Sequence, residues 1–172
     1  YFDDLQNEWI CRRVAQKCYL PANELTGELI NQTEGRFKVA YSISGVALEQ
    51  FEAYCPEVIE SFQRLARSGC VEFLCETYYH SLASLKDESE FLFQVDKHKK
   101  KIEALFGQSP KVFRNTELIY SDKIGAMVAN TAIGLGMDVI GYDPYISVDA
   151  AWSLSRAVHK AESLESLLSK SD

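Results

Sequence analysis

The stretch 111–143, KVFRNTELIYSDKIGAMVANTAIGLGMDVIGYD, decides the fold of this chain. It predicts one strand–helix–strand unit. Its three parts are a short β-rich run at 111–116, a helix at 121–135 and an apolar strand at 139–142. Glu117 lies where the first strand stops, and Asp143 lies where the second one stops. Because chemistry collects at the carboxyl ends of parallel strands, these two acids are the first candidates for a functional site.

The same alternation of strands and helices extends toward both ends of the chain. Further strands are predicted to begin near residues 37 and 70, and Pro21 is expected to end a first helix before Asn23 caps a second. The other predicted helices cover 3–19, 23–30, 46–66 with a break at Pro56, 87–106, 148–158 and 163–168. Such alternation implies a parallel sheet with right-handed βαβ crossovers. The predicted fold is a single α/β domain over 1–172, with an open three-layer sheet or a partial (β/α) barrel. Because four strands are too few for a closed barrel, we expect the open three-layer sheet.

Composition and charge narrow the classes of function. The chain has 172 residues and a net charge of −7, from 25 acidic and 18 basic residues. Nucleic-acid and anionic-membrane surfaces need clustered positive charge, so neither is an expected partner, and no apolar run is long enough to span a bilayer. We expect a cytoplasmic protein without a metal or cofactor. The sequence does not indicate its oligomeric state. The cysteines lack metal-ligand spacing and are expected to be reduced core thiols: Cys11, Cys18, Cys55, Cys70 and Cys75.

Polar residues interrupt the first strand of the opening stretch. Arg114 and Asn115 precede Glu117 in a segment that otherwise looks like a strand, and unpaired polar groups are costly to bury. One interpretation is catalytic, with Glu117 as a reactive carboxylate at the strand end. The other is structural, with Arg114 and Glu117 as an ion pair.

Another acid ends the strand that begins near residue 70. Glu76 is followed by Tyr78, Tyr79 and His80. Aromatic faces stack on sugar rings and on nucleobases, so an acid beside two tyrosines suits a carbohydrate cleft. A packed loop with one hydrogen-bonded histidine explains the same residues equally well. In contrast, the basic run 97–101 lies in a helix whose other face is apolar, which predicts a solvated helix face.

Small residues recur on one face of the helix in the opening stretch: Gly125, Ala129 and Ala132. They would let the helix lie close to a strand, as in a dinucleotide-binding unit. Asp143 lies 18 residues after Gly125, near the spacing of about 20 expected for a ribose-binding acid. However, Tyr120 and Asp122 stand where that unit needs glycines, and their side chains would fill the phosphate space and repel its charge.

Four segments together resemble glycoside hydrolase family 57, particularly its α-amylase-like members, over residues 1 to about 128. The segments are CYLPAN at 18–23, YSISG at 41–45, ETYYHS at 76–81 and FRNTELIY at 113–120. The resemblance implies an incomplete (β/α)₇ barrel and a retaining mechanism on α-glucans, with Glu117 as the nucleophile. It implies that Glu76 and His80 line the sugar site. Tyr78, Tyr79 and Arg114 are further substrate-binding candidates.

Two parts of the family pattern are missing from the resemblance. The family's opening strand, with its His-Gln-Pro segment, would lie before Tyr1, and its acid/base aspartate belongs to a later strand with no matching aspartate here. Without that group the leaving oxygen is not protonated, and general acid catalysis is typically worth about 10²–10⁴-fold. Activity of this chain alone is therefore doubtful, and we expect oligosaccharide binding ahead of turnover.

The region from about 123 to 172 instead resembles D-2-hydroxyacid dehydrogenases of the phosphoglycerate dehydrogenase type. The resembling segments are VANTA at 128–132, LGMDVIGYDPY at 135–145 and SLESLL at 163–168. This implies a Rossmann-like segment at 129–172 with Asp143 as the ribose ligand of NAD. The two resemblances together predict a chimeric, recombined or computationally generated sequence. Three hypotheses therefore stand: a family-57-like hydrolase fragment, an NAD-binding fragment and a catalytically inactive α/β scaffold. The scaffold hypothesis, which is the outcome we expect for the isolated chain, predicts a melt that neither oligosaccharide nor NAD shifts.

Overall fold

Two small parallel sheets form the β structure in the computed structural model, which describes residues 3–117 and 119–170. β1 (Val39–Tyr41) pairs with β2 (Val71–Phe73), and β3 (Ile140–Gly141) pairs with β4 (His159–Lys160). Both pairings are parallel, which confirms the direction predicted from the strand–helix alternation. Among the described residues, the predicted strands do not join into one sheet. The β4 strand was not predicted.

The strand predicted at 111–116 is reduced to a single parallel bridge between Phe113 and Cys75, on the edge of β2 away from β1. Two backbone hydrogen bonds of 2.8 Å flank this bridge, from Cys75 N–H to the Val112 carbonyl and from Arg114 N–H to the Cys75 carbonyl. The next residue, Asn115, uses its side-chain amide to donate to the Ile119 carbonyl at 2.8 Å. Because this side-chain bond turns the backbone, the ladder ends after one bridge.

Helices make up most of the described chain. A π-helical turn at Ala15–Tyr19 joins the first two helices, and a 3₁₀ turn covers Ala83–Leu85. The α-helices are α1 (Asp4–Val14), α2 (Leu20–Gln32), α3 (Gly45–Tyr54), α4 (Pro56–Ala66), α5 (Glu88–Phe106), α6 (Asp122–Gly134), α7 (Val148–Ser153) and α8 (Leu164–Lys170). The break predicted at Pro56 and the helices predicted at 87–106 and 121–135 are confirmed. No helix in the described ranges is long and apolar enough to cross a membrane.

The expected helix break at Pro21 is wrong. In the π-helical turn, Leu20 N–H donates to the Ala15 carbonyl five residues back, and Pro21 then lies in the first turn of α2. A proline is tolerated in a first helical turn because its missing N–H has little to satisfy there. Asn23 is consequently not a cap. It is buried within α2, where its side-chain amide donates to the Ser61 hydroxyl at 2.8 Å.

The helix predicted at 148–158 ends early, at Ser153. Asn130 of α6 explains this end, because its side chain bonds one carbonyl at the end of the helix and one N–H just beyond it. Its amide nitrogen donates to the Ser153 carbonyl at 2.8 Å, and its carbonyl oxygen accepts from Ser155 N–H at 2.7 Å. The chain then leads into β4, so the exposed His159 lies in a strand.

The main core lies between β1, β2 and the first five helices. Phe73 of β2 stacks on Phe106 of α5 with ring centroids 4.1 Å apart, and Phe62 of α4 meets both rings edge-on. A smaller cluster, formed by Cys75, Phe91, Val95 and Met127, joins α5 to α6. The main core includes Phe73 of β2 and the smaller cluster includes Cys75 just after it, so both pack against the carboxyl end of β2.

Candidate functional site

The carboxyl ends of β1, β2 and the Phe113 segment open at one edge of the sheet. Their parallel pairing brings the residues that follow each strand to the same side. Thr77, just after β2, and Thr116, just after the bridge, are both buried, and their hydroxyls lie 2.7 Å apart. This hydrogen bond ties together the loops that carry Glu76 and Glu117.

His80 lies between the two carboxylates at this edge. Its Nδ1 is 3.1 Å from Glu76 Oε2, and its Nε2 is 3.4 Å from Glu117 Oε1. The two ring nitrogens of His80 thus link Glu76 to Glu117. The structure brings Glu117 to the loop that carries Glu76 and His80.

The two carboxylates differ in their access to solvent. Glu76 is 2% exposed, whereas the Glu117 side chain is 64% exposed. A buried carboxylate requires partners, and His80 supplies one for Glu76. Glu117 thus faces solvent, and Glu76 contacts His80 from within the protein.

The backbone is unusual at two of these residues. His80 has a φ of 52° and Glu117 a φ of 56°, both in the left-handed region that residues other than glycine rarely adopt. The turn at His80 is closed by its N–H bond to the Thr77 carbonyl at 2.9 Å, and Ser81 N–H donates to the Thr77 hydroxyl at 3.0 Å. Such conformations cost about 1–3 kcal/mol each and cluster at functional sites.

Tyr78 lies inside the protein, which does not fit its prediction as a substrate-binding residue. Its ring is 2% exposed and packs against Gly45 at the start of α3, where an added Cβ would lie 2.4 Å from the ring. Its hydroxyl donates to Glu49 at 2.5 Å. Burial and this carboxylate both raise the pKa of Tyr78. Tyr78 therefore anchors the loop at 76–81 to α3.

Tyr79 is the exposed aromatic side chain of the loop, at 47% exposure. Lys97 of α5 donates to the Tyr79 hydroxyl at 2.6 Å, and its ammonium lies 4.6 Å from the centre of the Tyr79 ring and 3.8 Å from that of Tyr78. A cation near aromatic faces is attracted by their negative potential. Lys97 thus fixes both tyrosines in place.

The interpretation of 97–101 as a solvated face is wrong for most of its residues. Lys99 donates to the Leu135 carbonyl at 3.1 Å, and Lys101 pairs with Glu52. These two lysines and Lys97 are partly buried, and only Lys100 in this run is exposed. Lys99 thus connects α5 to the end of α6, and Lys101 connects α5 to α3.

His98 is a site residue that sequence reasoning missed. It is fully buried, its Nε2 lies 2.8 Å from the Ile43 carbonyl, and its Nδ1 accepts from Glu76 N–H at 3.4 Å. It therefore joins the end of β1 to the end of β2. Burial lowers the pKa of His98, which favours the neutral ring. The signal was present in the sequence, because His98 continues the buried stripe of α5: Phe91, Val95, His98 and Ile102.

Arg114 lies at the same edge but does not pair with Glu117 in the described part of the chain. Its guanidinium is exposed and lies 3.4 Å from the Ser42 hydroxyl, which follows β1. The predicted ion pair between Arg114 and Glu117 is therefore wrong. Arg114 instead reaches across the strand ends.

The carboxylate of Asp143 is already engaged by protein groups. The Tyr120 hydroxyl lies 3.3 Å from one of its oxygens, and Tyr145 N–H donates to the other at 2.8 Å. The Tyr120 hydroxyl also covers Gly125, where an added Cβ would lie 2.8 Å from it. The small face of α6 at Gly125 therefore accommodates a tyrosine rather than a phosphate.

The site edge is open rather than enclosed. One cavity of about 570 Å³ lies between α2 and α4, and another of about 330 Å³ lies between α5 and α6. Glu76, His80 and Glu117 line neither. Within residues 3–117 and 119–170, no cluster of three or more His, Cys, Asp and Glu side chains is arranged to hold a metal ion.

Comparisons with known proteins point to one family. The pattern of glycosyl hydrolase family 57 matches residues 1–166. A protein of Methanocaldococcus jannaschii that bears an α-amylase name is 44% identical over 81% of this chain and 29% of its own length. The α-amylase of Pyrococcus horikoshii is 33% identical over 51% of this chain and 13% of its own length. The chain thus spans less than a third of these relatives.

A solved structure shares the fold. The 4-α-glucanotransferase of Thermococcus litoralis superposes with a TM-score of 0.64 at 19% identity, over 78% of this chain and 20% of that one. The family match also runs through most of 129–172, so the comparisons give no support to the dehydrogenase resemblance or to a chimera joined near residue 128. From its first residue to residue 166, the chain belongs to glycosyl hydrolase family 57.

Proposed function

We propose that this chain carries the nucleophile part of a retaining site that binds and acts on α-glucans, with Glu117 as the nucleophile. The observation that carries the proposal is the contact of His80 with both Glu76 and Glu117 at the strand ends. The exposed Glu117 can reach an anomeric carbon. Through His80, the buried Glu76 fixes the position of that carboxylate.

The proposed substrate class rests on the relatives and on the surface of the site. Two relatives are named as α-amylases, and the solved neighbour is named as a 4-α-glucanotransferase. Tyr79 offers an exposed ring beside the carboxylates, and Arg114 offers donors at the same edge. Glu117, Tyr79 and Arg114 are therefore the proposed ligand contacts, while Glu76, His80 and Tyr78 hold the site together.

The strand order supports the partial (β/α) barrel among the two predicted sheet arrangements. β1, β2 and the Phe113 segment are neighbours in the order in which the chain reaches them, and all run parallel. Sequential neighbours are what the wall of a (β/α) barrel requires, whereas a doubly wound sheet reverses its strand order at the switch point. In a barrel the active site lies at the carboxyl ends of the strands.

A retaining mechanism needs a second carboxyl group as acid/base, roughly 5–5.5 Å from the nucleophile. The family resemblance assigns that role to an aspartate on a later strand, and the relatives are more than three times as long as the matched segment. An α-maltosyl fluoride removes the requirement, because fluoride leaves without protonation. Glu117 would attack the anomeric carbon, the C–F bond would break with its electron pair on fluoride, and a maltosyl ester of Glu117 would remain.

Mass spectrometry of the fluoride-treated chain tests this proposal. We expect one added maltosyl group on the peptide that contains Glu117, and no addition in Glu117→Gln. Because Glu117 is exposed, the variant should keep the melting temperature of the parent, which separates loss of reaction from loss of fold. A maltosyl group on another residue, or equal labelling of both proteins, would remove Glu117 from the mechanism.

A further inference from the structure

Two cysteines from distant parts of the chain meet in the core. Cys11 lies on α1, and Cys55 lies in the break between α3 and α4, 44 residues later. Their sulfur atoms are 2.8 Å apart. Cys11 is 7% exposed and Cys55 is fully buried. The other thiols differ: Cys18 is exposed, and Cys70 lies against Lys38.

We propose that Cys11 and Cys55 form an oxidation-sensitive dithiol, which a peroxide converts to an intramolecular disulfide. In the first step one thiol attacks the peroxide, forming a sulfenic acid and releasing one water. In the second step the other sulfur attacks the sulfenic sulfur, the S–S bond forms, and the hydroxyl leaves as a second water. Two thiols and one hydrogen peroxide thus give one disulfide and two waters.

The geometry around the pair favours this bond. A disulfide has a sulfur–sulfur distance of 2.03–2.05 Å, so the two atoms need to approach by only about 0.8 Å. Cys55 is outside regular helix, with φ of −145° and ψ of 60°, and Pro56 follows it at the start of α4. The joint between two helices can absorb a small shift more easily than the middle of one helix.

The two sulfurs have different roles in the proposed reaction. Cys11 is the more accessible of the two, and it lies on α1, which buries only this residue among those of the helix. Burial and the neighbouring thiol raise the pKa of Cys55 to about 12, so it rarely exists as the thiolate that attacks a peroxide. Cys11 is therefore oxidised first, and Cys55 resolves the sulfenic acid.

Peroxide treatment of a Cys18→Ser background tests the proposal, because that background removes the exposed thiol that would form intermolecular bonds. We expect the intact mass to fall by about 2 Da, and the digested protein to contain one linked peptide pair joining Cys11 to Cys55. The bridge closes a 44-residue separation, so the melting temperature should rise by about 5–10 °C. A dithiol reductant should reverse both changes.

Two further variants in the same background serve as controls. Cys11→Ser should lose both the mass change and the thermal shift, whereas Cys70→Ser should keep both, because Cys70 lies elsewhere in the core. The peptide map of the background protein decides the matter even if Cys11→Ser fails to fold. A pair that stays reduced while other sulfurs are oxidised, or linkage through Cys70 or Cys75, would overturn the proposal.

Discussion

At the scale of single residues, a buried histidine holds the strand ends that carry the site. His98 contacts the Ile43 carbonyl and the Glu76 N–H, one from each of two neighbouring strand ends. A buried polar group left without its partner costs about 1–3 kcal/mol. The position of Glu76 therefore depends on a residue that does not itself face the ligand.

The stability of the protein should depend on pH through His98. Its pKa is lowered in the folded protein from an ordinary value of 6.5. Above pH 6.5 the ring is neutral in both states, so its contribution to stability is fully present. As the pH falls below 6.5, the unfolded chain takes up a proton that the folded one excludes, and stability is lost.

Urea denaturation at pH values between 7.5 and 5 measures this loss. The free energy of unfolding should fall below pH 6.5 in the parent, and His98→Asn should be less stable and have a flatter pH profile. The exposed His159 provides the matched control. If His159→Asn flattens the profile as much as His98→Asn does, His98 is not the titrating group.

Gly45 should tolerate no side chain. A Cβ there would lie 2.4 Å from the buried ring of Tyr78, and overpacking of this kind typically costs about 1–3 kcal/mol. We expect Gly45→Ala to lower the melting temperature and to weaken oligosaccharide binding by displacing Tyr78. Gly134→Ala is the control, because nothing lies within 4 Å of its added Cβ. Equal thermal shifts in both variants would contradict the packing argument.

At the scale of elements, the sequence predicted those helix ends that neighbouring residues determine. Asp87 caps α5 through Glu90 N–H, and Gly107 ends it in the left-handed conformation, so both ends of α5 were readable. Pro21 misled the prediction because a π-helical turn depends on how the helix packs. The length of the strand at 111–116 was overestimated. Its end is determined by the Asn115 side chain, which bonds the Ile119 carbonyl, and by pairing with Cys75.

The site could be predicted only in part for the same reason. Glu76 and Glu117 were candidates because each ends a predicted strand, and His80 was a candidate through the family-57 resemblance. Their mutual contacts depend on the strand pairing, which no local pattern specifies. Tyr78 and Tyr79 are adjacent and chemically identical, so the sequence could not tell that one ring is buried and the other exposed.

Lys97 is an element-scale contact that should matter for binding. It connects α5 to the loop after β2 through the Tyr79 hydroxyl and the two tyrosine rings. Lys97→Met keeps the length of the side chain but removes the charge and the donor. We expect roughly 5- to 30-fold weaker binding of maltoheptaose by isothermal titration calorimetry, corresponding to about 1–2 kcal/mol.

The control for this variant is Lys100→Met, on the same helix. Lys100 is exposed, and among the described residues it pairs with Asp96 one turn earlier, an interaction worth about 0.3–0.5 kcal/mol. Its affinity for maltoheptaose should match that of the parent. Comparable losses in both variants would show that net positive charge, and not the contact with Tyr79, supports binding.

At the scale of the whole molecule, the chain places the side chains of the proposed site at one edge of a small sheet. The strand ends carry Glu76, Tyr79, His80 and Glu117, and α5 holds them in place through Lys97 and His98.

The carboxylate of Asp143 is already bonded by Tyr120 and Tyr145, so NADH should not raise the melting temperature. A saturable shift with NADH that is lost in Asp143→Ala would contradict this expectation.

The most direct measurement of the central claim is the melting temperature with and without maltoheptaose. A ligand at 100 times its Kd stabilises the folded state by about 2.7 kcal/mol, which corresponds to a rise of roughly 5–10 °C for a chain of this size. We predict this rise for the parent, loss of most of it in Tyr79→Ala, and no loss in Tyr145→Ala, another exposed tyrosine. An unchanged melting temperature in the parent, or equal shifts in all three proteins, would contradict an α-glucan site at the strand ends.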